Sequence, residues 1–395
     1  MTVPEAEGRQ LTVVFAPDSF KGSLSSVEVA RALAEGWASA RPGDRLLLAP
    51  LADGGEGTLA AIEAAGGWES VENAASDPLG RSSSANWLRS SGGTRAVVEL
   101  AAASGLSRVD PRERDAGAAS TRGTGQILRS IVDSGIQHVT LGLGGSATTD
   151  GGAGILSALG VGLLDAAGSD LPDGGDALIR LSTVDLSALD GRLARVDLRI
   201  ACDVTNPLLG PTGAAAIYGP QKGADRDDVE SLDAALANFA DALEAATGRR
   251  ERDTPGAGAA GGVGFGLLCL TDRFHSVALV PGVDLVAHET GLDAKLAEAD
   301  VVVTGEGRID AQTAFGKTAL GVAIRAQAAG VQCIAVGGGV EPEGAAALAA
   351  LGVDVVAVHE RPIALEAAIA AGAAPVVACG ARVASSLEPR ARTGP

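Results

Sequence analysis

The sequence predicts an α/β protein of two domains: a Rossmann-like, doubly wound, mostly parallel sheet with a second, mixed α/β domain inserted into it. Three observations lead there. Both ends of the chain alternate short apolar, β-branched runs with helical periodicity, the pattern of strands covered by helices on both faces. The middle carries runs broken by turn residues that read as antiparallel strands. Neither end alone has enough strands for a covered parallel sheet, so the two ends are expected to join. A length of 395 residues fits two or three domains.

In order, LTVVFAP (11–17) is a buried strand ending in the loop Asp18–Ser23. Ser25–Ala40 is a helix, with Val27, Ala30, Leu33, Ala34 and Trp37 at helical spacing. The strand RLLLAPL (45–51) meets ADGGEGT, and a helix follows through Ala65. DPLGRSSS (77–84), SANWLRS and TRAVVEL (94–100) read as antiparallel strands. Then come helix Gly125–Ser134, strand 138–143, a glycine-rich loop, helix Ala153–Leu159, and strands 161–165 and 194–203. Asp227–Thr247 is an amphipathic helix. The C-terminal part alternates strands 300–305, 331–338 and 353–358 with helices Thr318–Ala329, Glu343–Leu351 and Ile363–Ala371. The Ala-rich stretch Pro362–Ala381 carries Glu366 and is interrupted by Pro375, so it reads as a helix and a short strand rather than a membrane span. The domains are therefore expected at 1–76 plus 287–395, and at 77–286.

Composition narrows the function. A net charge of −18 and a pI near 4.6 repel phosphate backbones and anionic lipids, which argues against nucleic-acid and membrane partners. A small anion held by backbone N–H groups remains compatible. Four scattered cysteines form no zinc or redox motif, and residues 1–10 carry no apolar signal region, so a cytoplasmic location is expected. A homo-oligomer is compatible with all of this. The 55 glycines are about twice the usual share of roughly 7%. Of 31 basic residues only four are lysine: Lys21, Lys222, Lys295 and Lys317. Three of them lie in glycine-rich motifs; Lys295 lies in an ordinary helix. A compact point charge for a phosphoryl oxygen is one role in which lysine differs from arginine.

Six segments concentrate glycine and charge, most of them at strand ends. Asp18-Ser19-Phe20-Lys21-Gly22-Ser23 sets a carboxylate and an ammonium before a helix; a capped helix start with a solvated lysine is the plainer reading. Asp53-Gly54-Gly55-Glu56-Gly57-Thr58 allows close backbone approach beside two acids, which could equally cap a helix. Gly142–Gly154 (GLGGSATTDGGAG) contains hydroxyls and Asp150, and suits phosphate oxygens. Thr304–Thr318 ends in Gly-Lys-Thr, but Ala311 stands where a P-loop needs glycine and the loop is too long. Arg308 and Lys317 remain there as phosphate ligands, and Glu306 and Asp310 as metal or base groups. Asp203 ends a strand, and Lys222 sits in a Gly/Pro turn. Gly256–Gly266 formally satisfies GxGxxG without a preceding strand, so it is weak.

APDSFKGSLS, PLADGGEGT, STRGTGQ, GGSATTDGGAG, CDVTNPLLGPTGAA, PQKGA and TGEGRIDAQTAFGKT occur in this order, and with them the chain resembles the bacterial glycerate kinases, the glycerate 2-kinase family, from about Val13 to Gly380. Thr149 stands where the family more often has Asn. The resemblance implies two α/β domains with a cleft between them, and ATP-dependent phosphorylation of D-glycerate at the 2-hydroxyl, with Mg²⁺ accompanying the nucleotide.

Phosphoryl transfer relies on positioning and charge neutralisation. Asp18, Lys21, Asp53 and Arg308 are expected to hold glycerate or the transferred group. Gly144, Gly145, Ser146, Thr148, Lys222, Glu306 and Lys317 are expected on the nucleotide side. Asp150, Asp203, Glu306 and Asp310 compete for the base and metal roles, with Asp150, Glu306 and Asp310 as the metal candidates. Two other readings stand beside this one. Gly142-x-Gly144-x-x-Ala147 with Asp165 further on mimics an NAD-dependent dehydrogenase of a small hydroxy acid. A non-catalytic metabolite-binding protein on the same fold is the other.

Overall fold

A computed structural model of the chain describes residues 9–311, 313, 318–359, 361 and 363–387. These fall into two compact units. The first comprises the chain up to Ala52, Ala60–Gly66, and everything from Val286; the second comprises Asp53–Leu59 and Gly67–Leu285.

In the first unit, five parallel strands run in the order Asp354–Ala357, Gln332–Val340, Val301–Ile309, Thr12–Pro17, Arg45–Leu48. Val13, Val14, Phe15 and Val301–Val303 are buried, as a sheet covered on both faces requires. From Thr12–Pro17 the chain builds outward to Arg45–Leu48 on one side. On the other side Val301–Ile309 leads outward through the remaining strands. The winding reverses between Thr12–Pro17 and Val301–Ile309, the place where an open parallel sheet admits ligands beyond its carboxyl ends.

Helix Ser26–Ala40 starts at a capping box: Ser25 accepts from the Glu28 amide, and Glu28 accepts from the Ser25 amide. It buries Val29, Leu33 and Trp37, and the indole donates to Asp44 at 2.9 Å. Its neighbour is helix Ala374–Ser386. The short strand expected beyond Pro375 is thus a helix, and Pro375 sits in its first turn, where a missing N–H costs nothing. The two helices approach backbone to backbone. A Cβ built on Gly36 would overlap the Val377 carbonyl, and one on Gly380 the Leu33 carbonyl.

Lys295 is more than a helix residue. Its ammonium donates to the carbonyls of Leu48 (2.8 Å), Ala65 (3.0 Å) and Thr290 (2.8 Å), and burial pulls its pKa down to about 8. The three acceptors lie a few residues from three places where the chain passes from one unit's residues to the other's.

The second unit holds a mixed sheet in the order Ser276–Val280, Asp197–Ala201, His138–Gly142, Arg95–Glu99, Ser82–Ser90, Trp68–Ser76. The first four are parallel and the last two pair antiparallel. Strand Trp68–Ser76 was not expected from sequence. Its Glu69, Ser70, Glu72 and Asn73 give it no apolar run, and it lies at the sheet edge with most side chains facing water. It belongs to the long segment Gly67–Leu285 of the second unit. Asp77 opens the next turn, accepting from the amides of Leu79 and Arg81 at 2.9 Å, and strand Ser82–Ser90 follows. Gly162–Leu164 and Thr183–Asp185 form a separate antiparallel pair. Leu, Ile, Val and Ala dominate the core, as the scarcity of aromatics requires. Among the described residues no helix is long and apolar enough to cross a membrane.

Candidate active site

At the reversal point of the first unit, the Asp18 amide donates to the Gly305 carbonyl, which ties the two central strand ends together. Asp18 Oδ1 accepts from the Ser19 amide and Oδ2 from the Thr318 hydroxyl, each at 2.6 Å. Lys21 is exposed. Glu306 is buried and accepts from the Thr313 hydroxyl at 2.6 Å, while the Asp310 amide donates to the same hydroxyl oxygen at 3.1 Å. Arg308 is exposed and spends Nε and Nη2 on one oxygen of Glu341, which holds its pKa above the usual range. So Asp18, Lys21, Glu306, Arg308 and Asp310 do gather at one sheet edge. Lys317 lies outside the described residues.

At the carboxyl edge of the mixed sheet, two glycine turns meet. A Cβ on Gly142 would strike the Gly54 carbonyl, and one on Gly144 the Cα of Gly55. Only glycine permits this approach. Asp53 turns back on its own loop and accepts from the Gly55 amide at 3.0 Å. Asp203, at the next strand end, accepts from the Gly282 amide at 2.8 Å. Its carboxyl is pushed up by the protein crowding it, and further by the charges of Asp53 and Asp284.

The Gly142–Gly154 loop divides into a rim and a buried body. Gly144 and Gly145 reach the surface, with Gly145 in the left-handed region at φ 74°. Ser146, Thr148, Thr149 and Asp150 are buried. Among the described residues, the hydroxyls of Thr148 and Thr149 find no hydrogen-bond partner. Asp150 has no exposed surface, and accepts from the Thr121 amide and hydroxyl at 2.8 Å, Gly152 N at 3.1 Å and Gly154 N at 3.2 Å. Burial pushes its carboxyl up, and these four donors oppose that push. Asp150 thus braces the loop from within.

Lys222 likewise lies inside. Its ammonium is buried and donates to the Thr148 carbonyl at 2.6 Å. Burial draws its pKa down to about 7, against the pull of the Asp150 charge. An unfolded lysine keeps its proton to about pH 10, so between about 7 and 10 the unfolded chain binds more protons and stability rises with pH. Lys222→Met is expected to flatten that rise, read from urea midpoints across pH 7–10; an unchanged slope would exclude Lys222 as its source.

The Gly256–Gly266 run also has a structural purpose. Ala260, Gly261 and Gly262 adopt left-handed conformations inside helix Ala259–Cys269, and the Gly261 carbonyl accepts from the Gly151 amide at 2.9 Å. These glycines let that helix lie against the back of the Gly142–Gly154 loop. The dehydrogenase reading loses its acid: Asp165 is exposed and accepts from the amides of Ala167 and Ser169 in a local turn.

Two residues escaped the sequence reading. Thr121 is fully buried; besides donating to Asp150, its hydroxyl accepts from the Ile155 amide at 3.0 Å. The STRGTGQ motif marked it without revealing its partner. Glu99 is buried at a strand end and accepts from the Leu59 amide at 2.6 Å. Burial, then the Glu56 charge, lifts its pKa to about 7 against the amides of Leu59, Thr58 and Gly57.

Comparison with known proteins bears on this arrangement. The sequence model described as the glycerate kinase family matches residues 13–388. The glycerate kinase of Bacillus subtilis (strain 168) is 44% identical over 330 residues, 84% of this chain and 85% of that protein. The glycerate 2-kinase of Escherichia coli (strain K12) is 42% identical over 313 residues, 79% of this chain and 81% of that protein. A crystal structure from Salmonella typhimurium LT2, whose description names glycerate kinase 2, superposes with a TM-score of 0.83 at 40% identity. It covers 96% of this chain and 98% of its own.

Proposed function

The chain belongs to the glycerate kinase family, and from that premise we propose that it transfers the γ-phosphoryl group of ATP to the 2-hydroxyl of D-glycerate, with Asp203 as the base. It is a phosphotransferase with an alcohol acceptor. The observation that carries the assignment of Asp203 is its setting: a solvent-reaching carboxylate at a parallel strand end, raised by crowding and by Asp53 and Asp284. A raised carboxyl is better matched to accepting a hydroxyl proton near neutral pH. Asp150 cannot compete for that role while its oxygens serve four donors.

The exposed Gly144–Gly145 rim, with no Cβ in the way, is proposed to receive phosphate oxygens on its amides. Within the first unit, Lys21 and Arg308 are proposed as cations for an anionic ligand; Arg308 would have to leave Glu341 to do so. The donors present make no protein cage for a divalent ion, since among the described residues no three His, Cys, Asp or Glu side chains converge. Mg²⁺ is proposed to arrive bound by the nucleotide phosphates, and no step here runs through it. The two units are proposed to be separate domains, and the unpaired thiols of Cys202, Cys269, Cys333 and Cys379 suit the cytoplasm.

The test is coupled ADP release with D-glycerate, followed by phosphorus NMR of the product. We expect 2-phosphoglycerate; 3-phosphoglycerate would sink the regiochemistry, and no ADP release would sink the activity. Asp203→Asn is expected to lower kcat by about 10²–10⁴. A smaller loss than tenfold would remove Asp203 from the role of base.

A further inference from the structure

The seven residues Asp53–Leu59 belong to the second unit, while the chain on either side of them belongs to the first. So short an excursion needs a tie. It contains three glycines and one half-buried apolar side chain, Leu59, so ordering it costs much entropy and gains little burial. Its backbone contacts with the second unit are weak or merely permissive: the Gly144 amide reaches the Gly54 carbonyl at 3.4 Å, and Gly282 packs on the Asp53 carbonyl. A side chain from elsewhere in the unit that bonds the excursion is Glu99. That carboxylate sits at the end of strand Arg95–Glu99, in register with Gly142, where the glycine-rich loop begins.

We propose that Glu99 is a positioning residue for phosphoryl transfer: by bonding the Leu59 amide, it holds Asp53 and Glu56 beside the Gly142–Gly145 turn. This rests on the reading of that sheet edge as the reaction site. Glu99 does not act on substrate. Its side chain is buried, and its oxygens face backbone N–H groups. A pKa near 7 is in keeping with a carboxyl shielded from water; the charge facing it from the excursion is Glu56, and its register partner on the next strand is a glycine. A neutral amide of the same shape should therefore serve almost as well.

The experiment compares Glu99→Gln and Glu99→Ala with the parent chain in two readouts: kcat and KM for D-glycerate and ATP, and hydrogen exchange of residues 53–59 without substrate. Leaving the buried Leu59 amide without its acceptor should cost about 10–100-fold. Glu99→Ala is expected to lose that much in kcat/KM for D-glycerate, to keep its KM for ATP within a few-fold, and to exchange faster at 57–59. Glu99→Gln is expected to stay within about threefold in both, since its carbonyl still accepts from Leu59. A Gln variant as inactive as the Ala variant would overturn the proposal, because the acid itself would then be working. So would accelerated exchange with kcat/KM unchanged, or unchanged exchange in the Ala variant. Failure of the kinase reading would appear separately, as absence of ADP release by the parent chain.

Discussion

Asp150→Ala should lose about 3–5 kcal/mol of stability and fall at least 100-fold in kcat/KM. Three backbone amides and one hydroxyl converge on this carboxylate, and all are buried with it. Truncation leaves those donors without an acceptor in a place water does not reach, the costly direction of hydrogen-bond removal. The loop that carries Gly144 and Gly145 is then free to shift, and a shift of an ångström costs about 10² in rate. Asp150→Asn separates the two effects. Oδ2 serves three donors and Oδ1 one, so the amide must turn its oxygen to the crowded side and set NH₂ against the Gly152 amide. It should lie between the parent and alanine. Urea denaturation and steady-state kinetics measure both, and a loss below 1 kcal/mol for the Ala variant would refute the bracing role.

The second large effect lies in the first unit. Gly36→Leu places four carbons where the Val377 carbonyl and the Ala381 amide already stand. Neither backbone atom can move without displacing helix Ala374–Ser386, so the cost should exceed the usual 1–3 kcal/mol of overpacking. Trp37 is fully buried next to this contact, its ring edge-on to Phe15 at 5.9 Å, and reports on it directly. In a chain with Trp68 and Trp87 replaced by Phe, the Trp37 fluorescence midpoint should drop by about 3 kcal/mol or more. A midpoint within 1 kcal/mol of the parent would mean the helices can separate at little cost.

Much of this architecture was legible in the residues. Val13–Phe15 and Val301–Val303 are apolar and β-branched because both faces of their sheet are covered, so the run itself announces the strand. Trp68–Ser76 was hidden by the opposite cause: an edge strand half in water has no apolar run to read. The glycine loops were visible by composition. What composition could not say was which hydroxyls and charges point inward. Thr148, Asp150 and Lys222 look like ligands when written in a line; only the fold sets them behind the loop. Glu99 was invisible for a related reason. Its partner is a backbone amide 40 residues away, and a backbone amide has no letter in the sequence.

The Lys295 tripod bears on how this chain can evolve. Its basic residues are 27 arginines and four lysines. An ammonium offers three donors around one point, and Lys295 meets three carbonyls from three separate segments. A guanidinium is flat and wider, and its five donors lie in one plane. An arginine at 295 could not reach all three carbonyls from one point, so a Lys-to-Arg exchange, conservative in charge, would leave part of this buried junction without its donor.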